Sequence, residues 1–380
     1  MGPERETLGK TPGGTRRERV SYLYLSGWGN VDRAAPRRPS RGFLALPGLD
    51  AKVRAHTRMV DDALARMLPE VGVDDPDVRG PMRHVVAAGG KRIRPALCLL
   101  AHEAVGGKPQ DALPTAVGIE LLHTFTLVHD DIMDKASLRR ARPTVGALWG
   151  TDIAITVGDA LFALAFESFT SNAEVPGMDP ARVLAVVRRA ARVSADLAQG
   201  QTLDLLQSRR RDVSVEEYLE MVRLKTGVLL EFSLAAGAML GGADAQLVAA
   251  LSAFGAPLGA AFQIRDDLLD ITGDPAKLGK PLGGDVRTGK RTLMVAHAFA
   301  HSPRASRLAE ILDQAADHTR DDDVREAIAI LEAAGSIAFA RAVAERRLTE
   351  AKSALERVPG RPRELVALAG LADYVLRREE

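Results

Sequence analysis

VEEYLEMVRLKTGVLLEF, residues 215–232, sets apolar side chains at three- and four-residue spacing. That is the period of an α-helix and not of a strand. Ser214 ahead of it, with Glu217 three positions on, reads as a capping box that starts the helix. VRAHTRMVDDALARML, residues 53–68, has the same period. Ala and Leu dominate the chain from Leu49 onward, and runs of β-branched residues at period two are missing. Breaks fall at Gly and Pro clusters: 71–81, 106–114, 172–180, 272–284 and 358–362. The pattern predicts an all-α fold, a single large helical bundle over 49–380 with no dividing linker and no short-period repeat.

Residues 1–48 read differently. They are rich in Gly, Pro and Arg, carry nine basic against four acidic side chains and show no period, which predicts a disordered extension. Its aromatic island SYLYLSGWG, residues 21–29, is a candidate docking peptide for a protein partner.

With 51 basic against 50 acidic residues the chain is close to neutral, so no broad basic surface for nucleic acid is expected. Cys98, the single cysteine, excludes an internal disulfide framework and suits a reducing compartment. No apolar run reaches membrane-spanning length, and the first residues lack a signal-peptide pattern. A cytoplasmic protein is expected.

Two acid clusters carry the chemistry. DDIMD (130–134) closes the apolar segment LLHTFTLV, and DDLLD (266–270) closes LGAAFQI. Positions i and i+4 share a helix face, so Asp130 pairs with Asp134 and Asp266 with Asp270, while Asp131 and Asp267 sit about 100° round. Like charges at this spacing repel, and both clusters stand where the helix dipole disfavours them. A divalent cation would relieve that cost. Oxygen ligands without His or Cys select a hard ion, and Mg²⁺ fits because it completes its shell with phosphate oxygens. A phosphorylated substrate follows. Basic residues stand ready for it: Arg139 and Arg140 after the first cluster, Lys91 and Arg94 in GGKRIRP, Lys225 in LKTG, and Lys280 in GKPLGG. Lys290, in TGKRT, is another lysine beside glycine.

In these motifs the chain resembles the trans-isoprenyl diphosphate synthases, most of all those making geranylgeranyl diphosphate. GGKRIRPAL, LLHTFTLVHDDIMDKASLRRARPT, GQTLDL, KTG, FQIRDDLLDITGD and GKPLGGDVRTGKRTL match the family's motifs in order, from about residue 50 to the C-terminus. The resemblance implies a bundle of the isoprenoid synthase type with a central substrate cavity, usually a homodimer, that condenses isopentenyl diphosphate with dimethylallyl, geranyl or farnesyl diphosphate. It implies three Mg²⁺ ions, held by Asp130, Asp134 and Asp266 with Asp131, Asp267 and Asp270 in support. Arg139, Lys225 and Lys280 would grip the allylic diphosphate, and Lys91, Arg94, His123 and Arg140 would form the isopentenyl diphosphate pocket. Thr226 and Gln263 would face the developing cation, and Arg377 or Arg378 would supply a C-terminal basic group. Phe125, large, and Thr126, small, would floor the product cavity as in enzymes making a twenty-carbon product. A farnesyl diphosphate synthase, a class I terpene cyclase, a non-catalytic partner subunit and a Mg²⁺-dependent phosphohydrolase are the alternatives. DDLLD together with GGKRIRP weighs against the cyclase, and the acid clusters and their arginines, intact here, weigh against the partner subunit.

Overall fold

The computed structural model describes residues 51–70, 76–140, 142–274, 282–359 and 362–377. Helix follows helix through them, as the periodicity predicts: α1 (Ala51–Glu70), α2 (Pro76–Ala87), α3 (Ile93–Ala104), α4 (Leu113–Met133), α5 (Val145–Trp149), α6 (Thr151–Ser171), α7 (Pro180–Gln207) and α8 (Val215–Val222). A π-helical turn over Arg223–Gly227 leads into α9 (Val228–Leu240), α10 (Ala245–Ser252), α11 (Gly255–Thr272) and α12 (Gly284–Arg287). Then come α13 (Leu293–His301), α14 (Ala305–Leu312), α15 (Asp321–Ala333), α16 (Ser336–Glu356) and α17 (Pro362–Arg377). The expected extension, 1–48, lies outside the described residues.

Among those residues the only strands are β1 (Leu138–Arg139) and β2 (Arg142–Pro143), an antiparallel hairpin pairing Arg139 with Arg142. The hairpin reverses the chain just after the first acid cluster and carries its arginines.

The helices bearing the two clusters are core helices. The first ten residues of α4, Leu113–Leu122, are all buried, which an apolar sequence on every face requires. Its neighbours include α3, α6 and α9. α11 serves two core clusters, giving Leu258 and Ala261 to one and Ile264 and Leu268 to the other. Each fully buried Leu or Ile contributes roughly 2 kcal/mol, so both acid-bearing helices are fixed by packing far from their charged ends.

The capping box forms as read: Ser214 Oγ accepts the Glu217 amide at 3.1 Å, and Glu217 Oε2 accepts the Ser214 amide at 2.9 Å. The reading of membrane-length segments is corrected. Thr151–Glu174 and Ala245–Thr272 are each long and apolar enough by composition to cross a membrane. Spaced polar residues interrupt their apolar runs without lowering the average, and about half of the most apolar 18-residue window of each, 44% and 56%, is buried in the bundle.

Candidate active site

α4 ends at Met133, and Asp134 caps it. The three carboxylates of DDIMD then meet three different fates. Asp131 is buried and accepts from Arg139 Nε at 2.8 Å. Asp134 faces Lys290 Nζ at 3.5 Å. The Asp130 carboxylate makes no hydrogen bond or salt bridge among the described residues, while its carbonyl accepts the Asp134 amide at 2.8 Å. Burial pushes its carboxyl up, against the opposing pull of Lys225 and with the help of neighbouring Asp134.

The second cluster also divides. Asp267 is buried, accepting from Tyr218 Oη at 2.7 Å and Gln263 Nε2 at 2.9 Å, and burial raises its carboxyl to about 6. Asp270 accepts the Asp285 amide at 2.8 Å on its side chain and the Gly283 amide at 2.8 Å on its carbonyl, fastening the chain that returns to the site. Asp266 is half-buried and felt by Arg94.

Lys290 joins the clusters. Its ammonium lies 3.5 Å from Asp134 and 4.0 Å from Asp285. Burial acts to lower it, yet Asp285, Asp134, Asp204 and Asp267 hold it above the usual lysine range. One ammonium therefore feels acids from the ends of both α4 and α11, which makes those ends opposite walls of one site. A solvent-open cleft of about 420 Å³ there is lined by Asp204, Lys225, Thr226, Gln263, Asp285 and Lys290, among others.

The π turn aims two of these groups. Its inserted residue lets Lys225 reach Asp204 at 2.6 Å while Thr226 Oγ1 donates to Gln263 Oε1 at 3.3 Å. Close crossing is possible only over glycine. A Cβ at Gly200, in GQTLDL, would lie 2.4 Å from the Lys225 amide nitrogen, and one at Gly259 would lie 2.7 Å from Gly227 Cα.

A second basic group lies beside the first cluster. Arg94 Nη1 stands 3.2 Å from His123 Nε2. Burial and the charges of Arg94, Arg140, Arg139 and Arg92 hold His123 well below the usual histidine range, so the ring is neutral. A guanidinium only donates, so Nε2 accepts and Nδ1 carries the proton. Arg94 is lowered to about 10 by burial and stays charged at neutral pH. Arg140 Nη1 donates to the Gly89 carbonyl, and Lys91 Nζ lies 5.6 Å from the Tyr374 ring centroid. The non-glycine residues with positive φ among those described are Arg92 (45°), Lys135 (52°) and Arg140 (53°), all within or beside the predicted motifs. Each such backbone costs of order 1 kcal/mol and persists only where surrounding contacts over-determine it, which happens most at functional sites.

Lys280 and Arg378 lie outside the described residues, and of Arg377 only the backbone is described. Asp204, Asp285, Lys290 and Tyr218 belong to the site without having been assigned to it from sequence. GQTLDL and TGKRT were the signals for Asp204 and Lys290; nothing local marks Tyr218.

A family model described as polyprenyl synthetase matches residues 75–331, more than half of the chain. The chain belongs to the polyprenyl synthetase family. A short chain isoprenyl diphosphate synthase of Methanothermobacter thermautotrophicus is 42% identical over 329 residues, 86% of this chain and 98% of that one. The crystal structure of geranylgeranyl pyrophosphate synthetase from Pyrococcus horikoshii is 38% identical with a TM-score of 0.79, covering 86% of this chain and 98% of that one. A polyprenyl synthase from Caulobacter crescentus, solved with calcium and isoprenyl diphosphate, is 32% identical with a TM-score of 0.74, over 87% and 95% of the two chains. As a polyprenyl synthetase, this chain is a prenyltransferase, and its reaction is prenyl-chain elongation. The cyclase and phosphohydrolase readings fall away.

The family uses a divalent metal. The residues here fit one: the donors are all oxygen, and the Asp130 carboxylate is half-buried, raised by desolvation and without a side-chain hydrogen bond among the described residues. No three acidic or imidazole side chains among the described residues already converge on one metal position, since Arg139 and Lys290 draw Asp131 and Asp134 aside.

Proposed function

We propose that this chain condenses isopentenyl diphosphate with dimethylallyl, geranyl or farnesyl diphosphate and stops at geranylgeranyl diphosphate. The carrying observation is Lys290, a single ammonium drawn by carboxylates from both clusters, because opposed acid walls are what a diphosphate bridged by metal ions needs. In this reading Asp130, Asp134 and Asp266 hold three Mg²⁺ ions, with Asp131, Asp267 and Asp270 holding the helix ends in register. When bound, the ions draw electron density from the diphosphate leaving group.

The rest falls to the chain's own residues. Arg139, Lys225 and Lys280 grip the allylic diphosphate, and Lys290 adds a cation on the same side. Their charges stabilise pyrophosphate as the C1–O bond breaks. Thr226 and Gln263 turn oxygen dipoles toward the allylic carbon as it becomes positive. Lys91, Arg94, His123 and Arg140 hold isopentenyl diphosphate so that its double bond faces that carbon. Neutral His123 among four arginines suits a dianion pocket, since it adds a donor at Nδ1 without repelling them. The proton lost after bond formation goes to departing pyrophosphate, which needs no side-chain base. The apolar walls above the acids exclude water that would quench the cation.

Chain length rests on Phe125. Its ring meets Phe162 of α6 edge-on, centroids 5.1 Å apart, and Thr126 Oγ1 is turned away to the His123 carbonyl at 2.8 Å. The enzyme is further proposed to act as a cytoplasmic homodimer, the compartment supported by a single buried cysteine. Radiolabelled isopentenyl diphosphate with Mg²⁺ and each allylic starter tests the reading, with dephosphorylated products sized by chromatography. A twenty-carbon ceiling supports it, a fifteen-carbon ceiling replaces the product, and no elongation with any starter removes the catalytic reading.

A further inference from the structure

The tripeptide GKR occurs at 90–92 and again at 289–291. Lys290 faces the cleft between the acid clusters, Lys91 belongs to the segment proposed above to bind isopentenyl diphosphate, and the arginine beside each is buried, Arg92 5% and Arg291 3% exposed. Every guanidinium nitrogen of both arginines is engaged. Arg92 reaches Asp61 with Nε at 2.8 Å, Glu120 with Nη1 at 2.5 Å and the Val86 carbonyl with Nη2 at 3.2 Å. Arg291 reaches the Arg210 carbonyl with Nε at 2.7 Å, the Gly289 carbonyl with Nη1 at 2.7 Å and Asp313 with Nη2 at 2.6 Å.

The glycines complete the device. A Cβ at Gly90 would lie 2.9 Å from Arg140 Nη1, and Gly289, at φ 69°, would place one 2.5 Å from the Leu312 carbonyl oxygen. Lys290 therefore leaves the backbone between a glycine that admits no side chain and an arginine pinned at three points, and Lys91 between a glycine packed against the Arg140 guanidinium and an arginine pinned at three points.

A buried guanidinium is a costly way to fill space, because apolar residues of similar volume pack there at no desolvation cost. What its planar fork supplies is direction, locking the adjoining backbone to several elements at once. Arg92 ties the start of α3 to α1, α2 and α4. Arg291 ties the start of α13 to the loop before α8 and to the end of α14.

We propose that Arg92 and Arg291 are positioning residues, each aiming the lysine before it: Lys91 at the isopentenyl diphosphate pocket and Lys290 at the allylic side. This rests on the pocket assignment proposed above. Arg→Lys at either position keeps the charge and loses the fork.

Steady-state kinetics of Arg92→Lys, Arg291→Lys, Lys91→Met and the Arg92→Lys/Lys91→Met double variant test it. Arg92→Lys should raise KM for isopentenyl diphosphate about tenfold and leave KM for the allylic substrate within about twofold, with Arg291→Lys showing the reverse. In the double variant, Arg92→Lys should add nothing to the defect of Lys91→Met, because the lysine it aims is gone. Asp61→Asn, which loosens the same anchor from α1, should repeat the selective shift if Arg92→Lys does not fold. Additive effects in the double variant, equal shifts in both KM values, or lowered stability with unchanged KM would overturn the positioning role. A Lys91→Met enzyme with normal constants would instead overturn the pocket assignment beneath it.

Discussion

Asp130 is the residue at which stability and function pull apart. Its carboxylate is half-buried, raised by desolvation that outweighs the pull of Lys225, and without a side-chain hydrogen bond among the described residues, so as an anion it destabilises the metal-free protein. Asp130→Asn should raise the Tm measured in EDTA, by a stabilisation of about 1 kcal/mol, and lower kcat by roughly three orders of magnitude. Near-normal turnover in that variant would remove Asp130 from the metal site. His102 offers a pH test away from the site. It is buried, its Nδ1 meets the Gly237 carbonyl at 3.0 Å, and burial lowers it from the usual 6.5. The folded state therefore binds the proton less readily than the unfolded chain. Stability contributed by neutral His102 is present above pH 6.5 and is lost as pH falls through and below that value. Wild-type Tm should decline more steeply than that of His102→Gln between about pH 7 and pH 5, where the unfolded imidazole titrates; parallel curves would refute the assignment.

Elements set by residues within four positions of one another were legible in the sequence. The capping box at Ser214 and the acid-tipped helices α4 and α11 depend on local spacing alone, and all are present. The π turn at Arg223–Gly227 was not legible, because one inserted residue hardly disturbs an apolar period read over eighteen positions. Yet that turn aims Lys225 and Thr226, and it depends on Gly200 of α7 passing within contact distance of its backbone. Gly200→Ala should cost about 1–3 kcal/mol by overpacking, since the Lys225 amide nitrogen it would meet is main chain and cannot rotate away. If the crossing also fixes Lys225, KM for the allylic diphosphate should rise severalfold in the same variant, read from initial rates at saturating isopentenyl diphosphate. A fall in Tm with that KM unchanged would leave Gly200 a packing residue only.

At the scale of the whole molecule, the sequence could announce two acid clusters but not that one lysine stands between them. Tyr218 bonds Asp267 across 49 positions, and Lys290 meets Asp134 across more than three times that span, distances that only packing of the bundle closes. Packing also makes the product cavity a property of two helices. Phe125 of α4 meets Phe162 of α6 at 5.1 Å, and ring contacts continue through Phe166, tilted, and Phe169 to Phe232 of α9, both edge-on, with centroids 5.0, 5.7 and 5.7 Å apart. Five residues of helix place Phe125 about 7.5 Å along the axis from Asp130, within reach of a growing tail whose head is held at the acids. Phe125→Ala should therefore open the floor and shift products beyond twenty carbons. Phe162→Ala should shift them less, because it removes the ring that holds Phe125 in place while leaving Phe125 itself. The double variant should lengthen products more than either single one, with turnover of the shortest starter kept within about threefold, since no diphosphate contact is touched. An unchanged product profile in Phe125→Ala, sized after dephosphorylation, would move the floor elsewhere in the bundle.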